Sequence, residues 1–384
     1  MEFIIFGAQG IALGAYQAFH SLHPNRKIRC FLVSRIEENA SVLEGIPVLE
    51  LDKFASSLSR KEKEEIEVLI ATPENVMEEI ESALEYYGLH CHVRLTSLRW
   101  AQFMAYHYVR DREFMPLSAL PVGYHRPDIH MFMAKFYKDQ PLAENYNMPE
   151  WIMPVQAGAS LCEERVADLL DCEGENISWK NGNYSELTVL YWMWKNRLMV
   201  KASSNDIGNE LVSIQDRKMA SSIWPGRTRT EYYGLTHYRR ILELSEDDVL
   251  RLEDNDVDVV LPYPMPYTPD IGEHHKRYLA DRDWKALLAA LEELQPEYAN
   301  VFPSLLRQQY FYNYNIILAR RDVLANYCSW LFPILRRVEQ LSEPKGCKRK
   351  DRYIGYMGET LETLYFMYNK DKLELAHTGC RFLI

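Results

Sequence analysis

The sequence predicts an α/β protein in two parts, a Rossmann-like parallel sheet domain followed by a larger mixed α/β domain. Three observations carry this. The first hundred residues alternate apolar strands with amphipathic helices, the remainder sets short strands between long helical segments, and 47% hydrophobic residues in a chain of 384 supply the cores of two domains.

Taken in order, Glu2–Phe6 reads as a strand, Gly7–Gly10 as a glycine turn, the residues to about Leu22 as a helix and Ile28–Val33 as a second strand. A turn at Glu44–Gly45 leads to a strand at Ile46–Leu49, a charged helix over 51–65 and a buried-type strand at Val68–Ala71. A helix over Asn75–Tyr87 and a strand over Cys91–Leu95 close the series, which is assigned to residues 1–103. The aromatic stretch 104–126 reads as an irregular linker, and 127–384 as the second domain. There, strands are expected at 129–134, 232–236, 257–261 and 314–319, with helices over Tyr184–Asn196, Trp284–Leu294, Asp322–Leu341 and Gly358–Asn369. Asp322 is the expected cap of the third helix.

Charge and cysteine usage exclude several classes. Acidic residues outnumber basic ones 55 to 44 and the pI is near 5.6, which speaks against coating nucleic acid, so any anion site must be local. Cysteines stand at 30, 91, 162, 172, 328, 347 and 380, an odd number without a CxxC pair, which predicts reduced thiols and a cytoplasmic location. The opening Met-Glu-Phe has no basic segment before its short apolar run, and nowhere do eighteen apolar residues follow one another, so neither export nor a membrane span is expected.

Gly7, Gly10 and Gly14 would let backbone amides approach a phosphate at a helix start. Their spacing is GxxGxxxG rather than GxGxxG, and Glu37 and Glu38 are displaced from where a ribose-binding acid is expected, so a plain tight turn stands equally open. The stronger signal is Tyr233–Arg240, an apolar strand that ends in His237 followed by Arg239 and Arg240. Forked guanidinium donors at the carboxyl end of a strand suit a diphosphate. By contrast, Asp254–Asp258 precedes its strand and reads as a solvated loop, and His90 with His92 reads as structural. Adjacent His274 and His275 point in different directions on any regular element, so substrate contact suits them better than joint metal ligation. Lys345–Lys350 with Arg352 is the densest positive run, a solvated loop or a contact for anionic lipid headgroups or a pyrophosphate. Glu359 follows Gly355 and Gly358 near an expected helix start.

Several further segments follow one order along the chain: Pro154–Ala159, Glu175–Asn181, Tyr184–Asn196, Gly234–Arg240, Pro296–Tyr298, Tyr314–Ile317, Trp330–Phe332 and Arg352–Glu359. Over roughly 127–370 the chain thereby resembles a bacterial family of capsular and exopolysaccharide glycosyltransferases with a His-Tyr-Arg-Arg motif, whose domain was long of unknown function. The resemblance implies a GT-A-like fold. It also implies transfer of a hexose from a nucleotide diphosphate donor, a UDP-sugar, to a lipid-linked or oligosaccharide acceptor of surface glycan synthesis. The place implied is the cytosol, with peripheral association at the inner membrane face. Carried over residue by residue, His237, Arg239 and Arg240 become donor-site candidates, joined by Asn181 and Asn315. Glu359 and Glu186, between which the sequence does not choose, are with His237 the catalytic candidates, and His274 and His275, a partial match to the family's spaced histidines, are with Arg352 the acceptor-site candidates. No cofactor is implied with certainty; a divalent metal has a place in such chemistry, but no ligand set is assigned. The last motif departs from the family's usual Glu-Arg, since Thr360 follows Glu359. The first hundred residues resemble Rossmann-like sugar-nucleotide-binding domains, through Ile46–Val48 and Leu69–Thr72, with Gly7 and Gly10 at the expected ligand turn. Two rival readings are a nicotinamide-dependent sugar-nucleotide oxidoreductase and a non-catalytic sugar-nucleotide sensor.

Overall fold

The computed structural model describes residues 2–36, 39–142, 146–199, 230–275, 278–342 and 352–384. Its first sheet has six strands: β1 (Glu2–Phe6), β2 (Ile28–Val33), β3 (Val42–Leu43), β4 (Ile46–Glu50), β5 (Ile66–Ile70) and β6 (His92–Arg94), in the spatial order β3-β4-β2-β1-β5-β6. All pairings are parallel except the short β3 against β4. The chain leaves β1 outward to β2 and β4, then returns to place β5 on the other side of β1. The point of reversal therefore lies at the carboxyl ends of β1 and β5, where open α/β sheets hold ligands. This confirms the predicted doubly wound start, with β1 and β2 at the expected bounds.

The charged stretch 51–65, expected as one helix, is two short ones, Leu51–Ser56 and Arg60–Glu64. Ser59 starts the second with a capping box, accepting the Glu62 N–H while Glu62 accepts the Ser59 N–H. The stretch 104–126 also differs from expectation, because a helix runs over Ser97–Asp111. Trp100, Met104 and Tyr108 recur every four residues and bury one stripe, a period that the surrounding aromatics mask in the sequence. Tyr108 stacks on Tyr263 at 5.5 Å, and one apolar cluster continues from Leu13 and Trp100 through Tyr108 to Tyr263.

The second sheet is built from β7 (Asp128–Lys135), β8 (Ile152–Gln156), β9 (Leu169–Leu170), β10 (Glu231–His237), β11 (Arg240–Leu242), β12 (Val259–Pro262), β15 (Ile317–Arg320), β16 (Leu375–Thr378) and β17 (Cys380–Phe382). Between them, β13 (Met265–Pro266) and β14 (Tyr310–Phe311) form a separate antiparallel pair. The main path runs β16-β12-β15-β10-β7-β8-β9, with β10, β7, β8 and β9 parallel and β15 reversed between β10 and β12. The mixed α/β class is thus as predicted.

Helices cover this sheet. Arg321–Leu341 begins one residue before the expected start, and its cap position is Arg320, with Asp322 inside the first turn rather than capping. Tyr353–Tyr368 begins five residues before the expected Gly358, which puts Glu359 in the second turn, beyond the reach of a helix-start carboxylate role. Arg352, at the cap position, is left-handed with φ 53°. Among the described residues no helix is long and apolar enough to cross a membrane.

Candidate active site

The site is assembled from a chain of small, buried fits. Gly158 has φ 64°, and a Cβ there would lie 2.8 Å from the Asn181 Cβ, so only glycine lets this turn pass under Asn181. Asp171, fully buried, accepts the N–H groups of Gly158 and Ala159 at 2.7 and 2.9 Å. Asn181 in turn donates to the Ser185 carbonyl at 2.9 Å and the Thr188 hydroxyl at 3.3 Å. Ser185 is held at φ 52°, ψ −132°, a strained conformation, and the next residue, Glu186, opens the helix Leu187–Met193. Asn181 is therefore a brace for the turn that aims Glu186.

On the facing helix, Gly355 lies over Ser185, where a Cβ would sit 3.5 Å from that of the serine, and a Cβ on Gly358 would come within 2.7 Å of Leu187 and 2.8 Å of the Asn315 side-chain oxygen. The two glycines let the helix approach the Glu186 turn and leave Glu359 on the cavity wall.

Between β14 and β15, Tyr314 and Asn315 are both left-handed, at φ 76° and 51°. Consecutive side chains then serve different partners. Asn315 donates to Glu186 at 2.6 Å and to the Gly355 carbonyl at 3.3 Å; the Tyr314 N–H donates to Glu359 at 2.9 Å, and the Tyr314 ring lies 4.2 Å from the Arg240 guanidinium.

The resulting cavity, about 300 Å³, is lined by Glu186, His237, Arg240, His274, Arg352 and Glu359, among others. Of the predicted residues, it brings these six together with His275. Arg239 is separated from them. Strand β10 turns back into β11 immediately after His237, so Arg239 sits on the outside of the turn, reaching the Gln140 and Pro141 carbonyls at 3.4 and 3.5 Å, while Arg240 faces inward. Asn181 and Asn315 act from behind the wall. His275 is buried, with Nε2 3.1 Å from the Thr360 hydroxyl, and burial pushes its pKa down to about 3, whereas His274 stacks on Tyr267 at the cavity edge.

Burial, then the neighbouring Glu186, raises the Glu359 pKa to about 8, against the lowering influence of the Tyr314 N–H, Arg240 and Arg352. His237 is shifted down, first by burial; a backbone hydrogen bond at Tyr314 holds it, and its Nε2 has no partner among the described residues. The cavity thus holds a carboxyl tuned toward neutral pH beside two guanidinium groups, the equipment for proton abstraction next to an anion.

Sequence reasoning missed Tyr267, Asn313 and Tyr356 on the wall. The Asn313-Tyr-Asn315 run was the available signal, since asparagine tolerates left-handed turns. The remaining candidates have structural roles or fall outside the description. Asp254 closes the helix Glu246–Asp254 and binds the N–H groups of Tyr124 and His125, and Asp256 and the buried Asp258 both pair with Arg320, so the run is a set of structural contacts rather than the solvated loop expected. His90 and His92 both contact Glu85. Glu37, Glu38 and Lys345–Lys350 lie outside the described residues. Gly7, at φ 123°, would place a Cβ 2.5 Å from the Ala71 carbonyl, and Gly10 packs beneath the Pro266 carbonyl, so packing alone accounts for both. No three His, Cys, Asp or Glu side chains are grouped to hold a metal ion among the described residues.

This fold and site place the chain among known proteins. Residues 140–206 and 221–370, more than half of the chain, match the family described as "Domain of unknown function (DUF4422)", and the chain belongs to that family. Among solved structures it is similar to the one described as the WbbM bifunctional glycosyltransferase in its apo form, with a TM-score of 0.51 and 22% identity. The match covers 66% of this chain and 45% of that one, and what is shared is the fold. No curated protein sequence matches the chain.

Proposed function

We propose that the chain is a glycosyltransferase that moves a sugar from a nucleoside diphosphate donor, of the UDP-sugar kind, to a hydroxyl of a growing surface glycan, carried on a lipid or as an oligosaccharide. The observation that carries this is the single cavity in which Glu186, Glu359, His237, Arg240 and Arg352 converge. The fold shared with a bifunctional glycosyltransferase supports it, as does the His-Tyr-Arg-Arg turn.

In this reading the second domain is GT-A-like. Arg240, steadied against Tyr314, holds the diphosphate and balances the charge that grows on it as the sugar leaves. Arg352 stands across the cavity as a second cation for the leaving group or an anionic acceptor. Glu359 takes the proton of the attacking hydroxyl, and Glu186, oriented by Asn315, positions the acceptor or the sugar. His274 lies where an acceptor ring would enter, its stack with Tyr267 offering a flat face. Peripheral attachment at the inner membrane face fits a lipid-linked acceptor.

A panel of nucleotide sugars tests the reading. A binding donor should raise the melting temperature, with the logarithm of its concentration once that exceeds the dissociation constant, and then lose its sugar to water or acceptor in a catalysed step. Stabilisation by no nucleotide sugar would sink the proposal, and stabilisation without turnover would make the chain a sensor.

A further inference from the structure

A second cavity of about 100 Å³ lies between the domains, beyond the carboxyl ends of β1 and β5, at the reversal point of the first sheet. The first domain contributes Thr72 and Trp100 to its wall, and the second closes it with Tyr263, Asn313, Tyr314 and Arg240. The lining is largely apolar and aromatic, and the Trp100 ring is fixed by its Nε1–H, which donates to the Ile11 carbonyl at 3.2 Å. Two buried polar atoms on the wall, the Thr72 hydroxyl and the Asn313 side-chain oxygen, have no hydrogen-bond partner among the described residues. The Asn313 amide nitrogen is already engaged, donating to the Tyr267 hydroxyl at 2.6 Å. Unpaired buried polar atoms in an apolar hole are costly unless a ligand completes them.

Arg240, Asn313 and Tyr314 line both this hole and the polar cavity, so the two spaces share a wall at which a guanidinium stands. The ligand that complements them is a flat ring with an N–H for Asn313 and a polar edge for Thr72, joined to an anionic group at Arg240. At about 100 Å³ the hole is smaller than the apolar cavity of about 150 Å³ that holds a benzene ring, so a single ring is the most it can seat and a fused pair is excluded. We infer that this interdomain cavity seats the pyrimidine base of the donor nucleotide, so that the first domain completes the donor site of the second. This rests on the donor chemistry proposed above. It gives the first sheet a binding role through Thr72 at the end of β5, while the Gly7–Gly10 turn stays a packing element.

Calorimetric titration of the full chain tests it, with UDP, GDP and inorganic pyrophosphate as probes. Thr72→Val keeps the shape and removes the hydroxyl; it should weaken UDP about fivefold, the worth of one neutral hydrogen bond, and leave pyrophosphate unchanged. Ile11→Phe narrows the hole from the first helix and should weaken UDP further, again sparing pyrophosphate. UDP should bind more tightly than GDP. Equal affinity of the unmodified chain and both variants for UDP, or GDP binding as tight as UDP, would overturn the inference. Variant-sensitive UDP binding without any sugar transfer would keep the base site and defeat the transferase reading. Transfer from nucleotide sugars that is indifferent to both variants would do the reverse.

Discussion

Two strand ends in this molecule each offer a candidate anion site in the sequence and do different work. At the end of β1 the chain turns through Gly7, whose φ of 123° and contact with the Ala71 carbonyl admit only glycine, and Gly10 is then packed beneath the Pro266 carbonyl. At the end of β10 the chain doubles back through His237 and Arg240, and the unusual backbone is carried by residues with side chains: Ser185, Tyr314, Asn315 and Arg352 all have positive φ around one cavity. Such conformations cost about 1–3 kcal/mol each and persist where the surrounding fold enforces them. The glycines of the first domain relieve crowding. The non-glycine strain of the second aims functional groups.

The largest expected effect is at Glu359. Glu359→Gln keeps the size and the bond from the Tyr314 N–H while removing the proton-accepting carboxylate, so the transfer rate should fall about 10²–10⁴-fold with donor affinity close to normal. Normal transfer would leave Glu359 a structural partner of Tyr314 and move the base to Glu186.

The pH profile sharpens the same point. A base with its pKa raised to about 8 is mostly protonated, and so inactive, at lower pH. The rate should therefore climb about tenfold per unit as pH rises toward 8 and then level. A flat profile between pH 6 and about 8 would contradict a base of this pKa.

Arg240→Lys replaces a planar fork with a point charge and loses the stack on Tyr314, so kcat/KM should drop about 30-fold. Arg239→Lys, on the outer side of the turn, should change it little; equal losses at the two positions would break the distinction between inward and outward arginines.

The glycines test the other half of the comparison. Gly358→Ala would push a methyl against Leu187 and Asn315, destabilising the fold by about 1–3 kcal/mol, read as a lower melting temperature, and slowing transfer through the displaced Asn315–Glu186 pair. Gly10→Ala meets the Pro266 carbonyl tightly at 3.2 Å and Met265 and Tyr267 at ordinary contact distances of 3.5 and 3.6 Å, so a stability change within about 1 kcal/mol and unchanged nucleotide affinity are expected. A selective loss of nucleotide binding in Gly10→Ala would show that the glycine turn holds phosphate after all.

Much of the fold was legible because the deciding information is local. The first strands alternate with amphipathic helices at their own periods, and β1, β2 and the helix Asp281–Leu294 announce themselves by pattern and length. Ser97–Asp111 was not legible, since aromatics on its exposed side, such as Tyr106, hide the stripe that Trp100, Met104 and Tyr108 bury. The start of the helix Tyr353–Tyr368 was hidden by Gly355 and Gly358, which weaken helix propensity in isolation and are there for the approach of Ser185 and Leu187.

By itself the sequence determined the α/β class, the doubly wound start, and a short set of acids, histidines and arginines from which a site could be drawn. Only the tertiary structure decided that Arg240 faces the cavity and Arg239 leaves it, that Asn181 and Asn315 hold Glu186 from behind, and that Glu359 is desolvated enough to titrate near 8. The reason is physical. Strand and helix periods are written over a few consecutive residues, whereas the direction of a side chain at a reversal, and the dielectric around a carboxyl, are set by segments more than a hundred residues apart in the chain, as the Glu186–Asn315 bond shows.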